Sequence, residues 1–335
     1  MSVVARQVRL AERPVGMTDA RTWQFADVQL PAPAEGEVLL RVTHLSLDPA
    51  MRGWLDDVKS YIPPVAVGAV MRALGAGVVE ESRHASYQPG DIVTGVVGAS
   101  TYAVVPGDSL TAADVAIAPV ETWLGALGMP GLTAYFGLFD VCRPEPGQTI
   151  LVSAAAGAVG SVVGQLAKAH GCRVIGIAGG EAKCRWLTEE LGFDESIDYR
   201  GEVSLSKALA AAAPQGIDMY FDNVGGETLD LALRRLRRNA RVAICGAIGE
   251  YNAVEPPPGP AHYLSLLVNR ASMAGFLVFD YQDRFPDAIA DLAGRLRNGS
   301  LVARETVVPG GLDRFPETFN MLFSGGNTGK LELAL

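Results

Sequence analysis

Residues 151–168 read LVSAAAGAVGSVVGQLAK. An apolar run enters a turn of small residues, and a helical pattern leaves it. The same unit recurs downstream: RVIGIAG is followed by EAKCRWLTEELG, IDMYFDNV by TLDLALRRLRRN, and ARVAICGA closes the series. Strands that are apolar throughout need cover on both faces. Strand–helix alternation of this kind makes a doubly wound parallel sheet, the Rossmann arrangement. Lys168, Lys183, Arg185, Arg234, Arg235, Arg237 and Arg238 are expected on solvated helix faces. Gly192, after Glu189 and Glu190, is expected to stop the second helix.

The chain before about Gly128 has another texture. Short β-like runs such as GEVLLRVTHLSLDP and GDIVTGVVGASTYAVVP are broken by Pro and Gly, which suits an irregular, β-rich, barrel-like domain. The tail repeats strand, helix and strand in LVARETVVPG, FPETFNMLFSG and GKLELAL, and is expected to return to the first domain. The expected division is therefore α/β: a β-rich domain over 1–128 and 302–335, and a parallel-sheet domain over 129–301.

Composition narrows the class. Hydrophobic residues make up 49% and charged residues 19% of 335, enough for two packed cores. A net charge of −9 speaks against nucleic acid. No apolar run reaches a membrane span, and the N-terminal residues are too polar for a signal peptide. Cys142, Cys172, Cys184 and Cys245 lie far apart, as do the four histidines. Neither set shows zinc spacing, and scattered thiols suit a reducing cytoplasm.

The glycine turn suits a dinucleotide. Gly157 and Gly160 hold the second and third positions of the G-x-G-x-x-G pattern, with Ala155 at the first. Gly157 lets the backbone approach a pyrophosphate, Gly160 lets the helix pack on the strand, and the helix N-terminus offers free N–H groups. Close packing without a ligand would use the same glycines; the strand before and helix after favour the phosphate. An NAD site ends its second strand in an acid that binds the ribose 2′-OH. Here CRVIGIA ends in Gly179-Gly180, followed by Lys183, and Tyr199 closes the third strand. A missing acid and a nearby ammonium suit the 2′-phosphate of NADP(H).

With these residues in view, the chain resembles the zinc-independent medium-chain dehydrogenase/reductases, and among them the prostaglandin reductase, leukotriene B4 12-hydroxydehydrogenase and alkenal double-bond reductase group. The stretches that carry the resemblance are LSLDPAMRG (45–53), GMPGLTAYFGL (128–138), AAGAVGSVVGQLAK (155–168), YFDNVGGE (220–227), CGAIGEYN (245–252) and GNTGK (326–330). They span nearly the whole chain in family order. The resemblance implies a GroES-like catalytic domain from both chain ends, an inserted Rossmann domain and a homodimer. It implies NADPH-dependent reduction of the C=C bond of α,β-unsaturated ketones and aldehydes. It places the pyrophosphate on Gly157, Ala158, Val159 and Gly160, and the 2′-phosphate near Lys183 and Tyr199. Asn223 would sit at the cofactor edge of the sheet; Cys245, Gly246, Ala247, Ile248 and Tyr251 would line the nicotinamide side, continued by Phe276, Leu277 and Val278, with Asn327 reaching the cofactor from the tail.

Hydride delivery to a conjugated β-carbon builds charge on the carbonyl oxygen, which a zinc-free site must stabilise by hydrogen bonding. Tyr251, beyond a strand and a glycine turn, is the candidate donor; a pocket-lining tyrosine would occupy the same place. Tyr61 matches a family substrate-pocket tyrosine, or packs on Pro63 and Pro64. Ala50 stands where relatives often carry tyrosine, which implies a differently shaped pocket. Asp48 and Arg52 are expected to form a structural pair. A quinone reductase of the same superfamily, or an NADPH-binding protein without turnover, would share most of these features.

Overall fold

The computed structural model describes residues 3–335. The described residues divide into one unit of 3–124 and 305–335 and a second of 125–304.

In the first unit, β1 (Val3–Leu10) and β2 (Trp23–Leu30) form an antiparallel ribbon. Then follow β3 (Glu37–Leu47), the single turn α1 (Ala50–Gly53), β4 (Leu74–Ser82), β5 (Ile92–Val96), β6 (Tyr102–Pro106), β7 (Thr111–Ala112) and α2 (Val120–Leu124). Gly75 and Gly77 on β4 lie so close to β3 that a Cβ at either would meet a β3 carbonyl oxygen at 2.7 Å, so this antiparallel pair tolerates only glycine there.

The second unit starts with α3 (Met129–Phe136) and alternates thereafter. The order is β8 (Thr149–Val152), α4 (Ala158–Ala169), β9 (Arg173–Ala178), α5 (Glu181–Arg185), β10 (Glu195–Asp198), α6 (Leu205–Ala212), β11 (Ile217–Asp222), α7 (Gly226–Leu233), β12 (Leu236–Ile244), α8 (Leu264–Asn269), β13 (Ser272–Gly275) and α9 (Phe285–Arg297). All six strands run parallel in the order β10-β9-β8-β11-β12-β13. The order reverses between β8 and β11, so the ends of these strands flank the crevice where such sheets bind ligands. A wider π-type turn, Trp186–Glu190, continues α5, and Gly192 follows with φ +72°.

The second half of one expected helix is a strand. Only Leu229, Ala232 and Leu233 of α7 turn inward, and the helix ends at Leu233. Arg237 and Arg238 lie on β12, which begins at Leu236 beside Ile217. Asn239 has φ +66°, a left-handed residue that bends the strand so that Ala240 and Val242 face the core. Its arginines are exposed because this stretch of β12 has a solvated side, and Arg237 pairs with Asp218 at 3.0 Å.

The tail adds β14 (Glu305–Val308), α10 (Phe315–Ser324) and β15 (Lys330–Ala334) to the first unit. β15 lies between β14 and β3 in a seven-stranded sheet. Its core gathers Leu40, Leu45, Leu331 and Leu333 with Phe315 and Phe319; Trp23 sets its edge against both rings at 5.3 and 5.8 Å, a favoured aromatic geometry. No helix among the described residues is long and apolar enough to cross a membrane.

Candidate cofactor and substrate site

The cradle begins where β8 ends. Ala154 takes the left-handed φ of +46°, which costs a non-glycine residue about 1–2 kcal/mol. Ala155, expected at the tight position, is instead fully buried and donates its N–H to Ile177 O at 2.9 Å. The strained position is one residue earlier because Ala155 must pack over Gly176 of β9, where a Cβ would approach it to 3.0 Å. Gly157 is the N-cap of α4. A Cβ on Gly160 would meet Ala154 O at 2.5 Å, so glycine alone lets this helix end sit down on the turn. Ala158, Val159 and Gly160 form the first helical turn, whose N–H groups lack intrahelical acceptors.

At the tip of β9 the Tyr199 ring lies against Gly179, where a Cβ would be only 2.8 Å from it. Asp198 Oδ1 accepts from Gly180 N at 2.8 Å and Arg200 N at 2.9 Å, fixing the two tips together. Arg200 lies over the Tyr199 ring at 5.5 Å. Burial, then the neighbouring Arg200 charge, holds the Lys183 ammonium below its usual range. Two neighbouring cations, one of them over a ring, with no acid ending β9, suit a doubly charged phosphate. Arg200 is a phosphate-site candidate that sequence reasoning passed over, although it adjoins Tyr199 in DYR.

At the ends of β11 and β12 the turns are tied by hydrogen bonds. Asn223 donates its N–H to Ser153 Oγ at 2.9 Å and its Nδ2 to Ser153 O at 2.7 Å. Cys245 N and Gly246 N donate to Asp222 O at 2.8 and 3.1 Å, and Ile248 N donates to Asn223 O at 3.1 Å. Tyr251 folds back so that its hydroxyl oxygen accepts from Ala247 N at 3.1 Å; a Cβ on Gly246 would lie 2.9 Å from that oxygen. Burial, then the Asp222 charge, pushes the Cys245 thiol up to about 12, so it stays protonated and unreactive.

Other expected residues have different surroundings. Phe276 packs edge-on to Phe221 at 6.2 Å, over Gly137, where a Cβ would meet it at 2.4 Å. Val278 joins a small cluster with Phe136 and Ala288, while Leu277 O caps the next turn through Asp280 N at 3.1 Å. Phe276 and Val278 thus each make a packing contact within this unit.

In the first unit, Asn327 Nδ2 donates to Gly329 O at 2.9 Å. Tyr61 is half-exposed, and its oxygen accepts from Trp54 Nε1 at 3.2 Å. Ala50 opens α1 and is half-buried. Asp48 and Arg52 do not pair with each other. Lys330 donates to Asp48 Oδ1 at 2.8 Å and to Leu47 O at 2.7 Å, while Arg52 pairs with Asp56 at 2.8 Å and donates to Gly16 O. Among the described residues no three His, Cys, Asp or Glu side chains come together to hold a metal ion.

Comparison with known proteins adds a lineage to this geometry. Residues 6–113 match the family described as N-terminal domain of oxidoreductase, and 158–294 the family described as zinc-binding dehydrogenase. The NADPH-dependent curcumin reductase of Escherichia coli is 41% identical over 96% of this chain and 94% of its own. Prostaglandin reductase 1 of Bos taurus is 38% identical over 98% of both. The crystal structure of CurA in complex with NADPH from Vibrio vulnificus superposes with a TM-score of 0.92 at 42% identity, covering 98% of each chain.

Proposed function

The chain belongs to the medium-chain dehydrogenase/reductase family, in the group that holds the prostaglandin and curcumin reductases, and from that premise we propose that it is an NADPH-dependent reductase of the C=C bond of α,β-unsaturated ketones and aldehydes. The observation that carries this reading is the Tyr251 hydroxyl, anchored by Ala247 N–H at the C-terminal edge of the parallel sheet.

The residues fit NADP(H): Gly157 and Gly160 leave no Cβ between a phosphate and the start of α4, and Lys183, Tyr199 and Arg200 take the place of an acid at the β9 tip. Bound NADPH supplies a hydride to the β-carbon of the conjugated carbonyl. Everything else is asked of the chain. The first turn of α4 holds the pyrophosphate, and Lys183 with Arg200 holds the 2′-phosphate. Tyr251 accepts a main-chain N–H, which polarises its own O–H. It donates that hydrogen bond to the substrate carbonyl oxygen as negative charge gathers there. The α-carbon proton comes from Tyr251 or from solvent. Ala50, where relatives often carry tyrosine, leaves room for bulk that a tyrosine would exclude.

Steady-state assays with NADPH and a panel of enones, enals and quinones test the activity. Turnover of quinones alone, or oxidation of NADPH with none of them, sinks it. Tyr251→Phe is expected to lower kcat about 10- to 1,000-fold with NADPH affinity little changed; an unaltered kcat would leave Tyr251 a wall residue.

Two further parts of the reading concern assembly and place. β13 is an edge strand exposed along its length, and Leu267 and Val268 on α8 are 76% and 66% exposed. Open edges and apolar helix faces invite a partner, which supports a homodimer that pairs β13 with its copy. Leu267→Glu should then shift the mass in light scattering from dimer to monomer. All four cysteines are free thiols, which supports a cytoplasmic setting.

A further inference from the structure

Asp222 ends β11 with 1% of its surface exposed. Its Oδ1 accepts from Tyr220 Oη at 2.6 Å, Ser153 Oγ at 3.2 Å, Val224 N at 3.0 Å and Gly225 N at 3.0 Å. All four donors are neutral. Its Oδ2 is buried without a hydrogen-bond partner. The ion pairs among the described residues of this unit all use other carboxylates. Asp222 is therefore a buried carboxylate to which no cation among the described residues is paired.

Such an arrangement is expensive, because a carboxylate taken out of water normally demands an opposite charge. The cost falls when positive charge arrives nearby, since attraction across a dry interior is strong. The position of Asp222 says where that charge would come. Its backbone oxygen holds Cys245 N and Gly246 N, Ser153 Oγ joins it to Asn223 N at 2.9 Å, and Gly246 abuts the Tyr251 oxygen. The carboxylate thus lies beneath the junction of the turns assigned above to the nicotinamide.

We propose that Asp222 is a positioning residue whose buried charge favours the oxidised, cationic nicotinamide over the reduced, neutral one. This rests on the reading of Cys245–Tyr251 as the nicotinamide side. The field of Asp222 already registers on that turn: burial first and Asp222 second raise the Cys245 thiol, and the same two causes hold the Tyr220 phenol well above its ordinary range. A reductase that gives up a hydride ends its cycle with the cationic ring in place, so a built-in anion favours that end state. The Tyr220–Asp222–Ser153 network also fixes the turns that present Asn223 and Tyr251.

The test is binding, read separately from turnover. Asp222→Asn keeps the size and the accepting oxygen and removes the charge. Calorimetry is expected to show NADP+ bound about tenfold or more weaker, with NADPH changed far less. Tyr220→Phe, which keeps the charge, is expected to leave the ratio of the two affinities as in wild type. Equal weakening of both forms by Asp222→Asn overturns the proposal and leaves a merely structural carboxylate. If Asp222→Asn does not fold, the wild-type protein carries the test. It should bind NADP+ at least about tenfold tighter than the dinucleotide in which a neutral benzamide ring replaces the pyridinium, and equal affinities overturn the proposal. A wild type that reduces no enone yet shows the altered ratio in Asp222→Asn refutes the reductase reading and supports the role of the charge.

Discussion

Asp222 in the parallel-sheet unit and Glu332 in the unit built from both chain ends sit on central strands, at 1% and 0% exposure. One oxygen of Asp222 collects four donors. Neither oxygen of Glu332 has any. Glu332 lies on β15 opposite Ser46 of β3 and beside Val307 of β14. The neighbouring cation Lys330 is spent on Asp48 and Leu47 O. Burial pushes the Glu332 carboxyl up to about 9; Lys330 opposes this, and Glu305, Glu121 and Asp48 add to it. Depth is the same in the two places, so they differ in the supply of donors: Glu332 has no hydrogen bond to set against its burial. The parallel sheet offers donors because its strand ends release main-chain N–H groups. The middle of β15 has none to spare, since its N–H groups are committed to β3 and β14.

The largest consequence belongs to Glu332. Its folded-state value of about 9 stands above the ordinary 4.5, so the folded protein holds the proton more tightly than the unfolded chain. Stability is full below about pH 4.5 and falls as pH rises toward 9, by up to about 6 kcal/mol. Glu332→Gln should match wild type near pH 5 and melt at higher temperature near pH 9. Parallel melting-temperature profiles for the two proteins would break the contrast with Asp222.

The next effect tests donors that are themselves cations. Lys183→Ala should cost about 1.5–3 kcal/mol of binding to the 2′-phosphate, raising the KM for NADPH about tenfold to a hundredfold. The KM for NADH should hardly move; equal changes in both would show that Lys183 does not read the phosphate. Arg200→Ala should act in the same direction.

A smaller effect is expected at Asp198, a carboxylate with two main-chain donors. Asp198→Ala should lower stability by about 1–2 kcal/mol and reduce the preference for NADPH over NADH by loosening the loop that carries Arg200. Retained preference would mean that the tip stays in place without its carboxylate. The smallest effect is Tyr220→Phe, about 1 kcal/mol, since three donors remain on Asp222; a loss several times larger would show that the phenol alone keeps that carboxylate.

Much of this was legible in the residues. The recurring strand–turn–helix order gave the parallel sheet, and Gly157, Gly160, Lys183 and Tyr199 were marked by type and spacing. What escaped depends on partners distant in sequence. Nothing local to Ser153 says that Asp222, 69 positions on, will share its hydroxyl, and nothing local to Asp48 points to Lys330 rather than Arg52. The arginine run after Leu233 has helix-forming residues, yet pairing with β11 draws it into a strand. At the cradle, the spacing marked Gly157 and Gly160 but gave no sign of the left-handed backbone at Ala154, which depends on the packing of Ala155 over β9.

The position of β15 has a consequence for how the chain is made. It is wedged between β14 and β3, so the sheet of the first unit lacks an inner strand until residues 330–334 leave the ribosome. All six strands of the parallel sheet have emerged well before then. The order of synthesis therefore lets the cofactor unit fold while its neighbour waits, with the β3 edge open to other chains until the tail arrives to close it.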